Sequence, residues 1–142
     1  MSPREDIYEA LLALVTRSAT FNLSSRRWRP WNDVPTADHP AVFLNQKYEE
    51  ATFKVRMPTR WQLFVDVIIY AHAFADTDNI PSSALNPLVD AVVGALKPPP
   101  GEEEQTLGGL VTYCRVEGRV QVFEGLLGDQ AAAFIPVTIL TT

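Results

Sequence analysis

The segment from Leu63 to Phe74 constrains the fold most, because it reads as a strand that is largely apolar on both of its faces. Successive side chains of a strand point to opposite faces of the sheet. One face holds Leu63, Val65, Val67, Ile69, Ala71 and Ala73, and the other holds Phe64, Asp66, Ile68, Tyr70, His72 and Phe74. Such a strand belongs at the centre of a sheet and must be covered on both sides. We expect a helix or a neighbouring subunit to provide the cover.

Two amphipathic helices are predicted, near residues 3 to 18 and 83 to 97. Ser2 is a suitable N-cap for the first helix, which has Pro3 at its first position and apolar residues at helical spacing. Ser83 or Asn86 would cap the second helix, and Pro98 would end it. Both helices have an apolar stripe that can pack on the sheet.

The other strand-like segments are residues 21–27, 41–49, 52–57, 110–124 with a break at Gly118, and 131–140. Pro136 has no N–H to donate to a ladder, so it should lie at an edge or a bulge. Residues 29–40 should form a long ordered loop, and residues 97–109 an exposed, mobile one. The sequence therefore predicts a single domain over residues 1–142, with an α+β fold of a mainly antiparallel β-sheet and two packed α-helices.

Charge and hydropathy exclude several classes of protein. The net charge is −5, which argues against a protein held on nucleic acid by phosphate contacts and against binding to an anionic membrane. The most apolar run, residues 63–75, is too short for a membrane span and is interrupted by Asp66 and His72. No export signal is recognised at the start of the chain.

The single cysteine, Cys114, cannot form an intrachain disulfide.

Catalytic and metal-binding patterns are weak. His39, His72 and Cys114 do not have metal-ligand spacing. Asp66, Tyr70 and His72 share a strand face and could form an acid–base cluster, although a hydrogen-bonded polar set is the favoured interpretation. Residues 76–79 resemble the opening of a calcium loop, but the glycine and the final glutamate of that motif are missing. We therefore predict no catalytic, cofactor or metal site and no enzymatic activity.

The segment from Ser24 to Trp31 is the most unusual in the chain. It contains Arg26, Arg27, Trp28, Arg29 and Trp31. Arginine and tryptophan are enriched at the energetic centres of protein interfaces, so a protein interface is favoured. Two alternatives remain: the tryptophans could anchor the following loop onto the sheet, or the segment could contact nucleic acid, which the net charge disfavours.

Several motifs together resemble a known family. They are Arg29–Pro35, Pro40–Phe43, Leu85 with Asn86, Gln105–Val111, Cys114, Gly118 and Ile135–Ile139. In this order they resemble the tail terminator proteins of long-tailed bacteriophages, an α+β family that is also similar to tail-tube and head–tail joining proteins. The resemblance implies a structural virion protein, made in the host cytoplasm, that forms a ring, usually a hexamer. It would cap the tail tube, end tail polymerisation and provide a surface for head attachment.

The resemblance also implies partners and interface residues. The partners would be further copies of this chain, the major tail tube protein and a head–tail connector or neck protein, with DNA passing through the lumen without sequence-specific binding. No cofactor and no catalytic residue follow from it. The candidate interface residues are Arg26, Arg27, Trp28, Arg29, Trp31, Gln105, Thr106 and Leu107. Alternative interpretations are another head–tail joining or neck protein, a small enzyme, and a binding domain unrelated to phages.

Overall fold

The computed structural model describes residues 3–72, 80–127 and 130–142. The helices are α1 (Pro3–Thr16) and α2 (Pro81–Ala95), and the strands are β1 (Leu23–Ser25), β2 (Ala41–Thr52), β3 (Arg60–His72), β4 (Val111–Val116), β5 (Gln121–Leu127) and β6 (Gln130–Thr141). The predicted calcium-loop resemblance at residues 76–79 lies outside the described residues.

The strands form one sheet in the order β1-β2-β3-β6-β4, and β5 also pairs with β6. β1 is parallel to β2, and the other pairs are antiparallel. The prediction of an α+β fold with a mainly antiparallel sheet and two helices is confirmed. The predicted strand at residues 21–27 is shorter than expected, because β1 pairs with β2 over three residues only.

β3 lies at the centre of the sheet, between β2 and β6. On one face, the side chains from Leu63 to Ala71 at alternate positions pack with both helices in the larger core. On the opposite face, Ile68 and Tyr70 pack with Phe43 and Val34 in a smaller core. Cover on both sides is thus confirmed, but the chain's own loop, rather than a helix or a second subunit, covers this second face. The last two residues of the predicted strand, 73 and 74, lie outside the described residues.

α1 agrees with the prediction within two residues at its end, whereas the predicted caps of α2 are wrong. Ile80 is the N-cap of α2, and Pro81 follows at the first helical position, which proline favours. The Ser83 hydroxyl donates to the Ile80 carbonyl at 2.6 Å from within the first turn. Pro87 lies inside α2, so the helix continues through a residue that lacks an N–H.

The predicted strand at 41–49 is confirmed but continues to Thr52, whereas the predicted strand at 52–57 is wrong, because residues 53–59 form the connection from β2 to β3. Glu49, Glu50, Ala51 and Thr52 all pair with β3. Exposed acidic residues do not end a strand when its neighbour supplies the hydrogen bonds. The real turn comes later, where the Met57 N–H donates to the Lys54 carbonyl at 3.0 Å.

Pro136 is neither in an edge strand nor at a bulge of its pairing with β3, where it lies opposite Asp66 in continuous register. On its other side, β4 ends at Val116 and β5 begins at Gln121. The Pro136 carbonyl accepts from the Glu117 N–H at 3.1 Å, and the two main-chain polar atoms of a strand residue point to the same neighbour. The missing N–H of Pro136 therefore faces the β4–β5 connection, where no ladder bond is needed. The predicted break at Gly118 lies in this connection and is confirmed.

Candidate functional site

Arg26 belongs to the monomer's own packing. Its guanidinium forms ion pairs with Glu5 at 2.5 Å and Glu9 at 3.0 Å, and it lies over the Tyr8 ring. The hydrogen bond from Arg26 lowers the pKa of the Glu5 carboxyl below its usual value. Arg26 therefore ties the segment after β1 to α1.

Trp28 anchors the long loop to the sheet. Its Nε1 donates to the Tyr70 hydroxyl at 2.7 Å, and that hydroxyl donates to the Arg29 carbonyl at 2.8 Å. The Trp28 ring also meets Phe134 edge-on, with 5.9 Å between ring centroids. The anchoring alternative considered for the tryptophans thus describes Trp28 well.

Both tryptophans nevertheless keep a large exposed surface. Trp28 is 42% exposed and Trp31 is 39% exposed. They contribute to an open, almost wholly apolar cavity of about 240 Å³, which we call the tryptophan recess. Its lining residues are Trp28, Pro30, Trp31, Tyr70, Phe123, Ala132 and Phe134. Pockets for small molecules usually measure about 300 to 1,000 Å³, so the recess suits a few protein side chains better.

Arg27 and Arg29 are placed differently from Arg26. Arg27 is exposed and Arg29 is half-buried, and neither guanidinium has an ion-pair partner in the described part of the chain. Three arginines that look equivalent in sequence thus divide into one structural residue and two whose charges have no ion-pair partner among the described residues.

The second group of candidate residues lies mostly inside the monomer. Gln105 is buried, and its amide donates to the carbonyls of Ala95 and Lys97 at 3.3 and 3.4 Å and accepts from the Leu107 N–H. Leu107 is also buried, while the Thr106 hydroxyl accepts from the Gly109 N–H. The loop predicted to be exposed and mobile is therefore attached through Gln105 to the end of α2, and an interface role here would rest on Thr106 and the exposed residues around it.

Asp66, Tyr70 and His72 do not converge on one point. Asp66 pairs with Lys47 at 3.1 Å, Tyr70 bonds to Trp28 and Arg29, and the His72 ring lies 6.2 Å from the His39 ring. Asp66 and Tyr70 are separated by about 13 Å along an extended strand. Asp66 thus lies apart from the other two, whereas the rings of Tyr70 and His72 both lie near the His39 ring, at 6.4 and 6.2 Å between centroids.

The remaining reactive side chains of the described residues form no second candidate catalytic or metal site. Cys114 is fully buried, and this burial raises the pKa of its thiol to about 12. Within residues 3–72, 80–127 and 130–142, no cluster of three or more His, Cys, Asp or Glu side chains could hold a metal ion. No helix in the same ranges has the length and apolar character needed to cross a bilayer.

The sheet has an open edge on each side. β1 pairs with β2 only opposite Ala41 to Phe43, so the rest of β2 has no neighbouring strand on that side among the described residues. On the other side, β4 and β5 each pair only with β6 in the same description. Unpaired strand edges are ready sites for pairing with another chain.

Sequence reasoning missed the connection between β2 and β3. Its apolar side chains are highly exposed, with Phe53 at 72%, Val55 at 77% and Met57 at 55%. The sequence predicts a strand over residues 52–57, whereas the structure has this connection there. The available signal was the charge pattern, since no acidic residue occurs from Ala51 to Val65.

No protein-family model matches the chain, and the search of curated proteins gave no significant match.

Proposed function

We propose that this protein acts by assembly, as a phage virion component that forms a ring, caps the tail tube, ends tail polymerisation and offers a surface for head attachment. The observation that carries the proposal is the pair of open sheet edges, at β2 on one side and at β4 and β5 on the other. The motif resemblance to tail terminator proteins supplies the biological setting.

Two different open edges favour a ring. Pairing of the β2 edge of one copy with the opposite edge of the next uses two different surfaces, which is a heterologous contact. Repeated contacts of this kind close into a ring when the rotation between copies divides a full turn. Each copy would then cover the edges of its neighbours, and no edge would remain for uncontrolled aggregation.

The charge of the chain also suits this role. Each copy carries a net charge of −5. An acidic lumen repels the phosphate backbone, so a duplex could slide through the ring without being held. The partners in this proposal are other copies, the major tail tube protein and a head–tail connector or neck protein, and the site of action is the virion.

Deletion of the gene from its phage tests the proposal. We expect tails of uncontrolled length in electron micrographs, with normal length restored by the wild-type chain supplied in trans. Tails of normal length that fail to join heads would instead favour another head–tail joining or neck protein. Normal tails and normal head joining would contradict both assignments.

Complementation of the gene deletion with a variant chain tests the alternative that the protein is an enzyme. The His72→Gln variant should restore tail length, because assembly does not require an acid or a base at this position. If this variant folds and assembles but does not restore function, catalysis would have to be reconsidered. Light scattering of the purified variant establishes its assembly state.

A further inference from the structure

The loop between α2 and β4 combines a stiff proline run with an acidic run. We define the proline–acid loop as residues 97–104, which read Lys-Pro-Pro-Pro-Gly-Glu-Glu-Glu. Proline fixes its own φ, and a residue that precedes a proline is restricted to extended conformations. Pro98 and Pro99 meet both conditions, so they favour the polyproline II conformation. The loop therefore offers a preformed extended segment to another molecule.

A turn follows the prolines and places the acidic run. The Glu102 N–H donates to the Pro99 carbonyl at 3.0 Å. Gly101 has a φ of 83°, as the third residue of a type II turn requires, and Pro100 occupies the second position, which proline favours. Glu102 and Glu103 follow directly and are both exposed. The backbone thus fixes where the acidic run begins relative to the prolines.

Two of the three carboxylates of this loop are available to another molecule. Glu104 lies 4.0 Å from Arg115 of β4. Glu102 and Glu103 have no ion-pair partner within residues 3–72, 80–127 and 130–142. Charged groups of this kind orient and select a partner that carries the opposite charge.

The tryptophan recess has the lining that proline-rich segments bind. Grooves that recognise the polyproline II conformation are lined by aromatic side chains. Five of the seven residues that line the recess are aromatic, and its volume is about 240 Å³. A proline run loses little conformational freedom on binding, because its backbone is already restricted. The recess therefore suits a short proline segment.

The chain segment that contributes Trp28 to the recess also carries cations for the acidic run. Arg27 and Arg29 flank Trp28, so each has its Cα about 3.8 Å from the Cα of a lining residue. The Arg29 carbonyl also accepts from the hydroxyl of Tyr70, another lining residue, at 2.8 Å. Arginine can bind a carboxylate through two parallel hydrogen bonds. The recess thus combines an aromatic lining with two cations close by in the chain.

The order of charges in the two segments favours an antiparallel arrangement. Over residues 27–33, the positive Arg27 and Arg29 come first and the negative Asp33 comes last. Over residues 97–103, the positive Lys97 comes first and the two unpaired glutamates come last. Antiparallel alignment of two segments of equal length brings opposite charges together at both ends, whereas parallel alignment brings like charges together.

The loop of a chain does not fill its own recess. Leu96 and Leu107, on either side of the loop, belong to the larger core that includes both helices. Tyr70 of the recess belongs to the smaller core on the opposite face of the sheet. Gln105 also holds the end of the loop to α2. The sheet therefore separates the two features within one chain, and the loop must come from another molecule.

We propose that the proline–acid loop of one copy docks into the tryptophan recess of a second copy. The prolines lie against the aromatic rings, and Glu102 and Glu103 pair with Arg27 and Arg29. The contact joins two different surfaces, so it can repeat from copy to copy around a ring. It names a contact between neighbours in the assembly proposed above, and in this sense it rests on the proposed function.

Charge exchange tests the contact on the purified chain. The acid-reversed chain carries Glu102→Lys with Glu103→Lys, and the base-reversed chain carries Arg27→Glu with Arg29→Glu. Each should self-associate about tenfold or more weakly than the wild type in sedimentation equilibrium, because like charges then meet. The chain with all four substitutions should recover wild-type association, because opposite charges meet again and the two exchanges cancel in net charge.

The matched control reverses two exposed acids on the helices, Asp6→Lys with Asp90→Lys. It changes the net charge as much as the acid-reversed chain does, and it should associate like the wild type. Circular dichroism verifies that each variant is folded. Equal weakening of the control and the acid-reversed chain, no recovery in the fourfold variant, or wild-type chains that remain monomeric at the highest attainable concentration would overturn the proposal.

Tryptophan fluorescence locates the contact. Trp61→Phe leaves Trp28 and Trp31 as the only tryptophans, and both line the recess. Their emission should move to shorter wavelength over the concentration range in which the chain associates, because the docked loop removes water from the rings. Association without this change would place the contact elsewhere and refute the proposal.

Two outcomes would assign the loop or the recess to another partner and so overturn the proposal. One is unchanged self-association of the acid-reversed chain together with loss of tail capping. The other is a fluorescence change that the tail tube protein causes and self-association does not. Association is measured on the purified chain, so a normal phenotype of the gene deletion would reject the tail function alone.

Discussion

Tyr70 connects three parts of the molecule through one hydroxyl group. Its oxygen accepts from Trp28 Nε1 at 2.7 Å and donates to the Arg29 carbonyl at 2.8 Å, while its ring lies in β3 against Phe43. The loop that covers this face of the sheet therefore depends on a single buried side chain for two of its polar contacts.

We expect Tyr70→Phe to lower the free energy of unfolding by about 1 to 2 kcal/mol, because the loop loses both hydrogen bonds of the hydroxyl. Urea denaturation measures the change. Tyr48→Phe is the matched control, since Tyr48 is 54% exposed and its loss of a hydroxyl should have almost no effect. Equal changes in the two variants would contradict the role assigned to Tyr70.

The role of Tyr70 can also be tested through the pH dependence of the free energy of unfolding. Burial raises the pKa of Tyr70 above its usual value of 10.0, and the hydrogen bond from Trp28 opposes this shift. The folded state thus favours the neutral phenol, so the contribution of Tyr70 is fully present below about pH 10 and is lost as the pH rises further. The difference between the wild type and Tyr70→Phe should therefore narrow in alkaline solution.

The three arginines show that residue type alone does not distinguish a side chain paired within the monomer from a candidate interface residue. The sequence placed Arg26, Arg27 and Arg29 in one candidate interface. The structure separates them, because the acids that bind Arg26 lie in α1, more than fifteen positions earlier in the chain. Nothing in the local sequence indicates that pairing, which depends on the packing of α1 beside β1 and β2.

At the scale of elements, strong apolar periodicity predicted the structure well. β3 and both helices were recognised because each places its apolar residues on a face that the core needs. The end of β2 was misplaced because its last residues are exposed, so pairing with β3 rather than burial decides their conformation. The tryptophan recess could not be predicted, since Phe123 and Phe134 reach it from strands far from Trp28 in sequence.

Gly118 lies close to Pro136 in the connection between β4 and β5. Gly118 has a φ of 115°, and a Cβ added there would lie 3.3 Å from Pro136 Cγ. A side chain is therefore disfavoured both by the backbone conformation and by the close contact.

We expect Gly118→Ala to destabilise the protein by about 1 to 3 kcal/mol in urea denaturation. Gly94→Ala is the control, for which we expect the opposite effect. Gly94 lies in α2, and a Cβ added there has nothing within 4 Å. Because alanine favours the helix more than glycine does, the free energy of unfolding should rise by about 0.5 to 1 kcal/mol. A neutral Gly118→Ala variant would show that the β4–β5 connection can shift away from Pro136.

At the scale of the whole molecule, the surface divides into regions of different kinds. The open strand edges suit main-chain pairing, the tryptophan recess suits side-chain docking, and Arg27 and Arg29 add positive charge to the chain segment that contributes Trp28 to the recess. Neither arginine has an ion-pair partner in the part of the chain that the structure describes, so both can offer positive charge to another molecule.

The two arginines give the last prediction. Arg27→Ala and Arg29→Ala should each weaken self-association by about 1 to 3 kcal/mol, which is the range for interface arginines, and should leave the urea unfolding of the monomer unchanged. Arg26→Ala should show the opposite pattern, because its ion pairs with Glu5 and Glu9 join the segment after β1 to α1 within one chain. Sedimentation equilibrium and urea denaturation of all three variants separate the two effects. If both Arg27→Ala and Arg29→Ala assemble like the wild type, this segment is only the anchor that Trp28 makes to the sheet, and the interface must lie elsewhere.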